Sequence, residues 1–205
     1  MRARMKITSF DFPFHYDVET LDHLPQAGAD YTFVRPQPSK PVEGLILDVP
    51  NFDPALVLKV TTGDAATWTG AFDAGFGGIS GIYATPSPDT LCVTVQGEGY
   101  WVPTLHPKGF GVIQAVPVKR VLRVPDSTVL LFVDFIRIVA YGANGFLWVT
   151  RRLSWDGLTI TEVTTRHVRG LGWDSPANCE VPFVVDVDTG EFEGGSSPEH
   201  YAHAN

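Results

Sequence analysis

The chain reads as an all-β protein, an antiparallel two-sheet sandwich or flattened barrel built from consecutive hairpins. Three observations predict this. Short apolar runs recur from Gly44 onward (LILDV, ALVLKV, TLCVTV, TVLLFV, RIVAY, CEVPFVVDV) at the length of strands rather than helices. Turn residues separate those runs. The composition is rich in strand-favouring rings, with 13 Phe, 6 Tyr and 5 Trp, and in turn formers, with Gly 20 and Pro 16.

Taken in order, residues 1–43 read as an irregular, Pro-rich N-terminal segment packed on the domain. Pro13, Pro25, Pro36, Pro38 and Pro41 break every periodic pattern, leaving short extended pieces at Lys6–Phe12 and Tyr31–Arg35. Residues 44–193 form the antiparallel β domain. Its turn signals are Thr62-Gly63-Asp64, Ser87-Pro88-Asp89, Gly97-Glu98-Gly99, Asn144-Gly145, Asp156-Gly157 and Thr189-Gly190. Gly and Asn reach positive φ cheaply, which is what tight hairpins require. Residues 194–205 read as a polar, flexible tail.

Gly99-Tyr100-Trp101-Val102-Pro103-Thr104 resembles Gly145-Phe146-Leu147-Trp148-Val149-Thr150, each after an apolar run and a Gly turn. Such spacing suits the blades of a small β-propeller, which is the alternative architecture. The likeness fades on both sides, so the sandwich or barrel is the reading kept.

The net charge of −8 argues against a nucleic-acid partner, which would call for a basic footprint. Charge is nonetheless uneven. Lys119, Arg120, Arg123, Arg137, Arg151, Arg152, Arg166 and Arg169 cluster in the middle, whereas from Asp174 onward there are acids and no Lys or Arg. Cys92 and Cys179 both lie in apolar runs and are expected to be reduced and buried. With no signal-like apolar segment after MRARMK and no membrane-length apolar run, the cytoplasm is the expected location and no membrane association is expected.

Catalytic motifs fail on inspection. Asp188-Thr189-Gly190 has the form of an aspartic-protease loop, but Glu191 follows where a small residue belongs and little chain remains after it. Asp188 is therefore expected to be exposed in a hairpin turn. As a calcium loop the same stretch has Gly190 at the fifth position and Ser197 at the twelfth, both wrong. Gly78-Ile79-Ser80-Gly81-Ile82 lacks the last glycine of a nucleophile elbow. No histidine pair has metal-ligand spacing, so no metal and no cofactor are expected. Asp134 interrupts the apolar run TVLLFVDFIRIVAY and is expected to pair with Arg137 at a strand break, since an unpaired buried charge is costly.

The functional reading that follows is a non-catalytic β-sandwich binding or assembly protein, acting through an aromatic and partly basic sheet face. Its partner would be an unknown protein or carbohydrate, or a second copy of the chain. The candidate ligand-binding residues are Trp148, Arg152 and Trp101, with no catalytic residue assigned. The alternative is a carboxylate-dependent hydrolase, possibly glycan-directed, with Asp134, Glu98 and Asp156 as the first carboxylates to test.

The sharpest expectation concerns 146–165, read as one hairpin on an Asp156-Gly157 type I′ turn. In that register Trp155 opposes Leu158, Leu153 opposes Ile160, and Arg151 pairs with Glu162. Trp155 then faces the core and Trp148 faces solvent, so Trp148→Ala would abolish binding with little effect on stability.

Overall fold

The computed structural model describes residues 5–35 and 53–198, which are mainly extended, with a 3-10 turn at Pro107–Gly109. The chain divides into two units, Met1–Ile113 and Gln114–Asn205. The stretch 44–193 expected as one β domain spans the boundary between these units. The run LILDV lies outside the described residues.

The first unit contains β1 (Ile7–Thr8), β2 (Tyr16–Leu21), β3 (Tyr31–Phe33), β4 (Leu56–Thr62), β5 (Thr67–Phe72), β6 (Gly81–Ala84), β7 (Thr90–Val95), β8 (Glu98–Pro103) and β9 (Gly111–Val112). They form two sheets of order β2-β4-β5-β3 and β1-β6-β7-β8-β9. All pairs are antiparallel except β3 with β5 and β1 with β6. The segment 1–43, expected to be irregular, therefore supplies three strands. Pro13 and Pro25 sit between those strands, where they remove no ladder hydrogen bond, and Pro36, Pro38 and Pro41 lie outside the described residues.

One core joins the two sheets. Alternate residues Leu58 and Val60 of β4, Trp68 and Phe72 of β5, and Leu91, Val93 and Val95 of β7 meet Phe33, Tyr100 and Val102. Phe33 lies at its centre, stacked on Phe72 at 4.4 Å and edge-on to Phe110 at 5.0 Å. On the second sheet the intervening residues Tyr83, Cys92 and Trp101 are buried as well. Every residue of β7 is accordingly buried, with Thr90 and Thr94 among them, as in a strand covered on both faces.

The second unit contains β10 (Arg120–Arg123), β11 (Leu130–Val133), β12 (Ile138–Gly142), β13 (Gly145–Val149), β14 (Leu158–Val163), β15 (His167–Asp174), β16 (Cys179–Asp186) and β17 (Phe192–Gly194). Two antiparallel meanders result, β10 to β13 and β14 to β17, each in chain order. They share a core of Leu131, Val133, Ile138, Ala140, Trp148, Leu153, Val168, Phe183 and Val185. The expected pairing of two sheets over one core is met within each unit, and the fold is all-β throughout.

Each expected turn but one joins consecutive antiparallel strands. In the β7–β8 turn, Gln96 and Gly97 both have positive φ, at 47° and 86°, as a type I′ turn needs. The exception is Asp156-Gly157. Strand β13 pairs with β12 and ends the first meander, while β14 pairs with β15 and opens the second. The expected 146–165 hairpin does not form. Glu162 accordingly stands opposite Arg169, at 3.3 Å, rather than Arg151. The likeness between the segments at Gly99 and Gly145 has a simple origin, since each is the second strand of a tight hairpin.

The tail expectation is also corrected at its start. Gly194 ends β17, and Ser196 and Ser197 are buried, with the Ser196 N–H donating to the Leu153 carbonyl at 2.9 Å. Residues 199–205 lie outside the described residues.

Both cysteines are free, but only Cys92 is buried; Cys179, expected to be buried, is exposed. It opens β16, opposite Asp174, at the end of the sheet where the apolar run has not yet reached cover. Burial pushes the Cys92 thiol far above its ordinary pKa, so little thiolate forms there. A thiol reagent such as DTNB is therefore expected to titrate Cys179 within minutes under native conditions and Cys92 only after denaturation. Both thiols reacting together would show that β7 is open to solvent.

Candidate functional site

The segment 152–155, between the two meanders of the second unit, is held by backbone hydrogen bonds on all sides. Leu153 N–H donates to the Ile136 carbonyl at 2.8 Å, and its own carbonyl accepts from Ser196. The Ser154 hydroxyl donates to the Gly157 carbonyl at 2.6 Å and accepts the Trp173 N–H at 2.8 Å. Trp155 N–H donates to the Trp173 carbonyl at 2.9 Å, tying the crossover to the end of β15.

Trp155 is pinned three ways. Its N–H is bound to Trp173, its carbonyl accepts from the Arg152 guanidinium at 2.6 Å, and its indole N–H donates to the Ser196 hydroxyl at 3.1 Å. Its ring is nonetheless only half-buried, as is that of Trp173. Trp173 faces out because β15 alternates: Val168, Gly170, Gly172 and Asp174 are buried, and the residues between them are not. The two tryptophans, with Asp156 and Ser175, line an open pocket of about 460 Å³. That is within the range of small-molecule sites, which combine apolar walls with a few polar groups.

The residues expected to bind ligand fare differently. Trp148 is buried at 8% exposure, and its indole N–H donates to the Val187 carbonyl at 2.8 Å. Trp101 is likewise buried, between Cys92 of β7 and Gly111 of β9. Both are corrected to core residues, because each strand carries apolar side chains on both faces and the sequence pattern does not say which face is covered. Arg152 is half-buried beside this pocket. Its guanidinium grips the Ser154 and Trp155 carbonyls at 2.8 and 2.6 Å and so positions the Trp155 ring. Sequence reasoning missed Trp155 and Trp173 as a pair, since they are brought together only by pairing between the crossover and β15. Asp156-Gly157, the strongest local signal in the region, marked the place but not its use.

Besides Arg152, four of the clustered basic residues are engaged structurally. Arg120 reaches the Ile160 carbonyl at 3.4 Å, Lys119 sits over the Phe135 ring at 4.2 Å, and Arg137 and Arg169 pair with acids. Asp134 and Arg137 meet as expected, at 3.4 Å, in the β11–β12 turn. The same carboxylate accepts the N–H groups of Ile136 and Arg137 at 2.7 and 2.6 Å. Glu98, buried at the start of β8, takes the Arg35 Nε on both oxygens at 2.8 and 2.9 Å. Arg35 Nη2 also donates to the Ile113 carbonyl at 3.0 Å, so this pair ties three separate stretches of the first unit together.

The Asp188-Thr189-Gly190 turn joins β16 to β17, with Asp188 exposed. Asp186, not Asp188, organises it, accepting from the Thr189 hydroxyl and N–H at 2.9 Å; the two contacts hold its carboxyl below the usual range.

A larger cleft of about 740 Å³ in the first unit is lined by Phe14, His15, Tyr16, Asp17, Thr62, Asp64, Asp89 and Leu105 among others. Here Asp89 meets His15 at 3.1 Å. Asp64 accepts from the Thr62 hydroxyl and the Ala66 N–H, and these bonds lower its pKa. Among the described residues no group of three or more His, Cys, Asp and Glu is placed to hold a metal ion, and no helix is long and apolar enough to cross a membrane.

No family model matches the chain, and no curated protein matches it. Among solved structures it is similar to the crystal structure of the N-terminal domain of Nup159, at 14% identity and a TM-score of 0.37, over 75% of this chain and 42% of that one. A likeness at that level does not define a shared fold.

Proposed function

We propose that the protein is a non-catalytic binding domain whose ligand sits between Trp155 and Trp173. The observation that carries this is a half-buried indole at the mouth of the pocket, in a residue fixed at its N–H, its carbonyl and its ring nitrogen. Exposed apolar rings left to themselves gain little from such ordering, whereas a ligand platform gains affinity from being preorganised. The aromatic face of the earlier expectation is thus kept and its residues changed, with Arg152 as a positioning residue. We assign the protein to the cytoplasm, where an exposed thiol such as Cys179 stays reduced.

A carboxylate-dependent hydrolase is the weaker reading. It needs a carboxyl held protonated near neutral pH to act as general acid. In the first-unit cleft Asp64 is shifted the other way, and Asp89 is taken by His15. Asp134 and Glu98 are both committed to arginine.

The test is a binding panel of glycans, amines and short peptides, with Trp155→Ala and Trp173→Ala beside the wild type. At least one ligand class is expected to bind the wild type and to lose about tenfold or more in affinity in either variant, since one aromatic contact contributes about 1–2 kcal/mol at a desolvated site. Binding that survives in both variants, or a panel without a single binder, would refute the assignment.

A further inference from the structure

Phe76 is the most exposed large apolar side chain among the described residues, at 96%. It sits at the tip of the loop 73–80 between β5 and β6, and both ends of that loop are fastened to the β7–β8 turn. The Gly75 N–H donates to the Val95 carbonyl at 2.9 Å, and the Ile79 carbonyl accepts from the Gly97 N–H at 2.9 Å. The Ser80 hydroxyl oxygen accepts from the Gln96 N–H at 2.8 Å. Gly75 lies so close to the turn that a Cβ there would stand 2.6 Å from the Glu98 nitrogen. The tip itself bends at Gly77, which has φ of +77°. The backbone thus holds the loop in place while its aromatic ring stands in water. One exposed ring is ordinary on its own. A second feature of the same unit gives it a use.

The cleft of about 740 Å³ lies at the other end of the same strands. From the cleft residues Thr62 and Asp64, β5 leads to the Phe76 loop. From Asp89 in the cleft, β7 leads to Val95, which holds that loop, and β8 returns to Leu105. The six residues of β7, at about 3.3 Å each, set the two features about 20 Å apart. The cleft carries two further exposed apolar side chains, Phe14 at 36% and Leu105 at 49%. Asp17, Asp64 and Asp89 make it acidic, whereas residues 74–80 carry no charge.

We propose that copies of the chain associate end to end, the Phe76 loop of one seated against Phe14 and Leu105 in the cleft of the next. The contact is heterologous, because the two surfaces differ and each copy offers one of each at opposite ends of the unit. A strand's length separates Phe76 from its own cleft, so the ring cannot fill it within one molecule. An uncharged tip enters an acidic cleft without like-charge repulsion. The net charge of −8 works against contact between acidic faces of two copies. A bilayer is the poorer occupant, since one ring with no Lys or Arg in its loop gives little hold on a membrane surface.

Sedimentation velocity of the full chain from about 10 µM to about 1 mM tests the proposal. The interface is small, so the average mass is expected to rise above the monomer only from about 0.1 mM. Phe76→Ser and Leu105→Asp should each stay monomeric over that range. Both should keep the wild-type melting temperature, since both side chains are exposed. Mixed together, the two variants should form a one-to-one dimer and nothing larger. The first still has the cleft and the second still has the ring.

A wild type that is monomeric to about 1 mM, or association unchanged by Phe76→Ser, would overturn the proposal. Association that Phe76→Ser abolishes and Leu105→Asp leaves intact would show ring packing on ring, and the cleft assignment would fall. A mixture of the two variants that stays monomeric has the same consequence. Phosphatidylcholine vesicles that retain the wild type and not Phe76→Ser, with no rise in mass in solution, would give the loop to a membrane instead.

Discussion

Trp148→Ala is expected to destabilise the second unit by about 3–5 kcal/mol, the usual cost of emptying a large aromatic site in a packed core. The residue lies in the cluster formed by Leu131, Val133, Ile138, Val168, Phe183 and Val185, and its loss leaves a void between the two meanders. It also leaves the Val187 carbonyl without the indole donor at 2.8 Å, an added desolvation cost. Trp148→Phe should cost less, about 1–2 kcal/mol, because most of the volume is kept and only the hydrogen bond goes. Gly190 presses on the same ring. It has φ of +74°, and a Cβ placed there would lie 2.7 Å from the indole. Gly190→Ala is accordingly expected to destabilise by about 2 kcal/mol or more, from backbone conformation and overpacking together. Urea unfolding monitored by circular dichroism measures all three. A Trp148→Ala variant within about 1 kcal/mol of the wild type would mean that the ring is not a core residue.

Asp134→Ala is expected to cost about 3–4 kcal/mol, for a different reason. The carboxylate is 2% exposed and accepts the N–H groups of Ile136 and Arg137, while facing the Arg137 guanidinium. Hydrogen bonds to a charged acceptor contribute about 1.5–3 kcal/mol each, and removing the acceptor leaves two half-buried donors without it, while the partly exposed Arg137 guanidinium adds less. Asp134→Asn retains one acceptor oxygen and should lose roughly half as much. If Asp134 served chemistry instead of the turn, the alanine variant would keep its unfolding midpoint, which is the outcome that would sink the structural assignment. Ligand binding at Trp155 and Trp173 should be unchanged in Asp134→Asn, since the carboxylate belongs to the β11–β12 turn and not to the pocket.

Elements whose causes are local were legible in the order of residues alone. The strand runs of β4, β7, β11 and β16 and the turns at Gly97, Gly145 and Gly190 follow from β-branched and aromatic content and from residues that tolerate positive φ. The Asp134–Arg137 turn was legible for the same reason, because both partners are three residues apart and a lone carboxylate in an apolar run needs one. Which strands pair, and which face of each is covered, depends instead on long-range packing. Asp156-Gly157 has the chemistry of a hairpin turn, yet the backbone of Trp155 is paired with Trp173, eighteen residues on, and β14 opens a new sheet. Pairing at that separation depends on the whole unit closing around its core, not on the φ angles of one dipeptide. Exposure followed from it. β13 presents Phe146 and Leu147 to solvent at 45% and 48% while burying Trp148, an order that alternation alone does not choose. A strand with large apolar residues on both faces has two possible insides, and the neighbouring sheet selects one of them.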